Sequence, residues 1–72
     1  MEITKRSKVK DIENVPGVVD IIAKHTGQVM APAMFKMAAF MTLQSAAKQA
    51  GWSDEQMQAC IDDINAVIAG QE

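Results

Sequence analysis

Residues 30–52 read MAPAMFKMAAFMTLQSAAKQAGW. The stretch holds Met30, Met34, Met37 and Met41, both phenylalanines (Phe35 and Phe40) and the only tryptophan, Trp52; it holds no Asp or Glu. A chain of 72 residues buries only about 60% of its unfolded surface, so its core must draw on a segment like this one. Pro32 restarts the chain after a connector at residues 28–31. Met34, Met37, Ala38 and Met41 then follow a helical period, and Phe35, Ala39 and Phe40 fill most of the remaining positions. The spacing predicts a helix over residues 33–41 that is apolar nearly all round, with Lys36 as its one charge. Such a helix is either central to a core or covered by a partner.

The segments on either side read as further helices. Thr42 suits the N-cap of a helix whose Leu43, Ala46, Ala47 and Ala50 form a small-residue face. Gly51 supplies its stop, and Trp52 just beyond is placed to fold back on the last turn. Ser53 and Gln56 form a capping box, with Asp54 and Glu55 at the positive end of the helix dipole. Met57, Cys60, Ile61, Ile64, Val67 and Ile68 follow as an apolar stripe at helical spacing, closed by Gly70. Upstream, residues 1–6 read as an extended arm anchored by Ile3. Ser7 is the expected N-cap of a first helix carrying Val9, Ile12 and Val15, ended by Pro16. Pro16 also suits the first turn of a second helix with Val18, Val19, Ile21 and Ile22 buried, Asp20 paired to Lys24, and Gly27 as its stop. The expectation is one all-α domain, a compact bundle of about five short helices with an extended N-terminal arm.

Composition bounds the function. With 49% hydrophobic and 22% charged residues the chain sits among globular proteins rather than disordered ones. The net charge of -2 argues against a dedicated nucleic-acid binder. The charge is uneven, however. Lys5, Arg6, Lys8 and Lys10 gather near the start as a weak anion-contact patch, whereas Asp54, Glu55, Asp62, Asp63 and Glu72 lie after the last base, Lys48. A single thiol, Cys60, cannot form an internal disulfide and fits a reducing compartment. No signal peptide is visible, and no segment reaches the ~20 apolar residues that span a bilayer. A cytoplasmic chain with no membrane role is the expectation.

Two groups of residues carry a family likeness. The opening I-T-K-x-S-x-V-x-D-I at residues 3–12, followed by Pro16, a run of aliphatics and Gly27, and later by Leu43, Ala46, Ala47, Gly51 and Ile64-Asn65, resembles the small helical domain of unknown function associated with hybrid-cluster proteins, also called a redox disulfide domain. That family carries a C-x-x-C shortly after the glycine that matches Gly27. Here Gln28, Val29, Met30 and Ala31 follow instead. The resemblance therefore implies the fold and removes the redox or metal function. The strings P-x-M-x-K-M-A at residues 32–38 and M-T-L-Q at residues 41–44 are similar to small helical modules attached to some bacterial carbohydrate-active enzymes, which would imply an accessory domain.

The chemistry-bearing residues are few. His25 is the only histidine; it reads as a helix C-terminal residue favoured by the dipole rather than as a base or ligand. Cys60 lies within the apolar stripe and reads as a small buried hydrophobe. Asp62 and Asp63 point about 100° apart on a helix and read as a solvated face. The methionines are core filler or an adaptable surface for a partner; as copper(I) or haem ligands with His25 they would form an alternative, small ligand- or metal-binding protein. No phosphate-binding glycine loop, zinc spacing or calcium loop occurs. The reading is a non-enzymatic, methionine-rich interaction module without cofactor, metal or catalytic residues. Its interaction surface would be Met34, Phe35, Met37, Phe40 and Met41, and it would homodimerise or dock on a protein partner.

Overall fold

The computed structural model describes residues 2–71. Met1 of the expected arm and Glu72 of the acidic end lie outside the described residues. Four α-helices make up the fold: α1, Val18–Thr26; α2, Pro32–Met37; α3, Leu43–Ala50; and α4, Asp54–Gln71. The chain is all-α, with four α-helices rather than five among the described residues. Among the described residues the only β-type pairing is one antiparallel bridge between Lys8 and Thr42.

The missing helix is the expected first one. Val9, Ile12 and Val15 fall three apart, but the segment forms only a 3-10 turn, Val9–Asp11. Ser7 does not cap it: its Oγ accepts from the Thr4 N–H at 3.0 Å. Asp11 Oδ2 takes that role by accepting from the Lys8 N–H at 2.9 Å. The backbone donors that a helix would use turn sideways instead. The Val9 N–H donates to Met41 O and the Lys10 N–H to Ala39 O, while Leu43 and Gln44 donate to Ser7 O and Lys5 O. The N-terminal segment is thus laced to residues 39–44, and Ile3 near its start is buried in the core.

The same lacing explains why α2 stops at Met37 rather than continuing to Met41. Past Met37 the chain closes tight turns, Ala39 N–H to Lys36 O and Met41 N–H to Ala38 O. The carbonyls of Ala39 and Met41 are then spent on Lys10 and Val9. Helix α1 begins at Val18 with Gly17 as its cap, so Pro16 stands just outside it.

The remaining ends follow local chemistry. Thr42 Oγ1 accepts from the Ser45 N–H at 3.1 Å. Gly51 takes a left-handed φ of 81°, which lets the Trp52 N–H reach Ala47 O at 2.9 Å and closes the end of α3. Ser53 and Gln56 form the reciprocal box at 2.8 and 3.1 Å. Gly70 does not stop α4, which runs on to Gln71.

Helix α4 is the axis of the molecule, and both α1 and α3 pack on it. Its stripe of Met57, Cys60, Ile61 and Ile64 is fully buried and meets Ile3, Val9, Ile12, Val18, Ile22, Phe35, Leu43 and Ala47. The centre holds only about 20 Å³ of free space, walled by apolar side chains alone. That is too small for any organic ligand, so a site must lie outside the core.

Candidate interaction surface

Helix α2 is not amphipathic: it carries large apolar side chains on both its buried and its exposed side. Phe35 turns inward and is 4% exposed. This corrects its expected place on the interaction surface, since the ring fills the core against Val9, Ile12 and Leu43. Met37 is 87% exposed, Phe40 77% and Met34 45%, and Met41 is half-buried. Val29, in the connector before α2, adds a further exposed aliphatic side chain.

Between α2 and α3 runs an open apolar groove. One section, of about 230 Å³, is lined by Met30, Met34, Met41, Trp52 and the two glutamines Gln28 and Gln49. A second section, of about 240 Å³, shares Met34, Ala38, Met41 and Gln49 with the first and ends at Met37. The four methionines of residues 30–41 therefore meet on one groove. Only Met34 and Met37 arrive there from α2; Met30 and Met41 come from the segments flanking it. Gln28 holds the groove's end in place, its Nε2 donating to Ala50 O at 3.3 Å. Trp52 packs between core and groove, and its buried Nε1 has no acceptor among the described residues.

The four basic residues near the start fall in two places. Lys8 Nζ and Lys10 Nζ stand 5.9 and 5.5 Å from the centroid of the exposed Phe40 ring. Each contact of this kind is worth about 0.5–1 kcal/mol at an exposed site, which helps hold the ring in water. Lys5 and Arg6 instead line a shallow depression of about 580 Å³ that also contains Glu2 and Asp62. Its mixed charge does not favour an anion.

His25 has a partner that its position in the sequence does not announce. Its Nε2 donates to Asp63 Oδ2 at 2.6 Å, and Lys24 Nζ reaches the same oxygen at 2.9 Å. Lys24 thus pairs across to α4 rather than with Asp20, and Asp63 is not simply a solvated carboxylate. The hydrogen bonds from His25, then from Lys24, hold the Asp63 carboxyl below the usual range. Gln56 Nε2 donates to His25 O at 3.3 Å from the same edge of α4, two turns earlier. The end of α1 is clamped at two points. The His25 ring does not line the methionine groove, so the structure does not bring the two halves of the expected ligand set together. Among the described residues no three His, Cys, Asp or Glu side chains are grouped to hold a metal ion.

Cys60 is fully buried, and burial pushes its thiol up, with the nearby Asp63 charge adding to the effect. A protonated thiol with no access to solvent is not a nucleophile. Among the described residues no helix is long and apolar enough to cross a membrane.

Sequence reasoning missed Asp63, and it missed Asn65, whose carboxamide bonds the backbone of Ile3. Each sits at an edge of the α4 stripe, the position where a polar side chain can reach a neighbouring element. That edge placement was the available signal. No protein-family model, curated protein or solved structure matches the chain.

Proposed function

We propose that the chain is a non-enzymatic interaction module that docks a protein on the surface formed by Met34, Met37 and Phe40 and the groove beside them. The observation that supports this reading is the exposure of Met37 and Phe40 in a chain whose core is closed without them. Large apolar groups held together in water mark association surfaces. The occupant is another protein or a second copy of this chain. A ligand- or metal-binding role at the groove would have to use the methionines alone, because the His25 ring does not line it.

The test is solvent accessibility in the isolated monomer, measured by NMR line broadening of the methionine methyls and the Phe40 ring with a soluble paramagnetic probe. The expected result is strong broadening at Met37 and Phe40 and none at Met57. Met37 and Phe40 signals as protected as Met57 in the monomer would remove the surface and sink the reading.

A further inference from the structure

We infer that Met37, and after it Met34, are sites of reversible oxidation by a hydroperoxide, and that their sulfoxides turn the apolar surface polar while the fold stays closed. The oxidation stands on exposure; its bearing on association rests on the docking role proposed above. Met37 is 87% exposed and Met34 45%, whereas Met57 is 3% exposed. Met30 and Met41 are half-buried. Cys60, the other kind of oxidisable sulfur, is fully buried. An oxidant arriving from solvent therefore meets the two thioethers of α2 first.

The step is an oxygen-atom transfer. A sulfur lone pair attacks one oxygen of the hydroperoxide, the O–O bond breaks, and the other oxygen leaves as water or an alcohol. The thioether gives up two electrons and becomes a polar sulfoxide. A methionine sulfoxide reductase reverses the step: the oxygen leaves as water, and a dithiol supplies the two electrons and becomes a disulfide. Both directions need the sulfur within reach of a second reactant, which Met37 provides at the last position of α2.

The consequence differs along the groove. Met34 and Met37 belong neither to the core nor to the side chains packed on it. Gln49 lines both sections of the groove, and its carboxamide can donate to a sulfoxide oxygen there. Met30, by contrast, walls the small central void together with Phe35 and Trp52, and Met41 packs against the core. A sulfoxide at either of those positions sets a polar oxygen against apolar walls, which costs stability. The response is thus graded: the surface oxidises first with the fold intact, and the core follows only under harsher treatment.

The experiment treats the full chain, as a monomer, with hydrogen peroxide and samples it over time. Peptide mapping by mass spectrometry gives the rate of oxygen uptake at each methionine, and circular dichroism gives the melting temperature of each product. Met37 is expected to oxidise about tenfold or more faster than Met57, whose sulfur is reached only through opened molecules, with Met34 next in order. The Met37 sulfoxide is expected to melt with the reduced protein and to elute earlier from a hydrophobic-interaction column. A methionine sulfoxide reductase with a dithiol is expected to restore the original elution. Met34→Leu/Met37→Leu is expected to keep the melting temperature and lose the fast phase of oxygen uptake.

A fast Met37 site that the reductase fails to restore overturns the inference and leaves the docking role standing. A fast phase that persists in the leucine variant does the same. A Met37 sulfoxide that elutes with the reduced protein overturns it as well, since the surface has then not become polar. Equal rates at Met37 and Met57, or a Met37 sulfoxide that unfolds the chain, place Met37 in the core and overturn both.

Discussion

The carboxamide of Asn65 closes both backbone groups of Ile3. The Ile3 N–H donates to Asn65 Oδ1 at 2.7 Å, and Asn65 Nδ2 donates to Ile3 O at 2.9 Å. The two residues are 62 positions apart. One side chain of α4 therefore acts as a strand partner for a segment that has no sheet to join, and it seats the Ile3 side chain in the core. Replacing Asn65 with Ala strands two backbone groups, each hydrogen bond being worth about 0.5–1.5 kcal/mol net. The expected loss is about 1–3 kcal/mol, or a melting temperature lower by about 4–8 °C per kcal/mol in a domain this small. Asn65→Asp keeps the acceptor but sets a carboxylate oxygen against Ile3 O, so at neutral pH it should be no more stable than Asn65→Ala. Thermal melts of the three proteins check the order, and faster hydrogen exchange at Ile3 assigns the cause.

The Asp63 clamp makes stability depend on acid. Its folded carboxyl is held below the unfolded value by His25 first and Lys24 second. The stabilisation is therefore complete above the ordinary carboxylate range and is lost as pH falls through the depressed folded value. Asp63 keeps 38% side-chain exposure, so solvent screens the group and the effect is modest. In Asp63→Asn the acid limb of the stability curve is expected to flatten, with the neutral-pH stability slightly lower. An acid limb of unchanged slope, measured by urea unfolding across pH, would show that the clamp contributes nothing.

Cys60 should report unfolding rather than chemistry. Its thiol is pushed up by burial, so the protonated form is favoured in the fold. Stability from this group is present below the unfolded thiol value and is lost as pH rises through the folded one. A disulfide reagent is expected to label native Cys60 only through opened molecules, at a rate that follows the unfolded population as urea is added. Rapid labelling in the absence of denaturant would place the thiol at the surface.

How much of this was legible in the sequence depended on distance along the chain. The Ser53–Gln56 box, the Thr42 cap and the Gly51 stop are each made within a few residues, and each was readable from residue type alone. The stripe of α4 was readable because a long helix repeats its period several times. Val9, Ile12 and Val15 misled because spacing by three fits a 3-10 turn as well as an α-helix. What decided between them was bonding to Ala39 and Met41, some 30 residues away, which no local pattern encodes. The partners of Asn65 and Asp63 were hidden for the same reason. The spacing of Met34, Met37 and Met41 fits one side of a single helix, yet the groove assembles the four methionines from α2 and its two flanking segments.

Phe35 and Met37 separate core from surface within one short helix. Phe35 fills the core beside Leu43 and Val9, and Phe35→Ala removes a buried ring at an expected cost of about 3–5 kcal/mol. That is a large share of the total stability of a small domain, so the variant should be largely unfolded at 37 °C by circular dichroism. Met37 carries almost none of this burden. Met37→Gln should leave stability within about 0.5 kcal/mol, as exposed substitutions do. Phe40→Ser removes the ring that Lys8 and Lys10 overlie, costing about 0.5–1 kcal/mol per lost contact. The functional ranking should run the other way: Met37→Gln and Phe40→Ser keep the fold and weaken association. A Met37→Gln protein as unstable as Phe35→Ala would mean that Met37 is core, and the surface on which a partner is proposed to dock would then be part of the folding machinery.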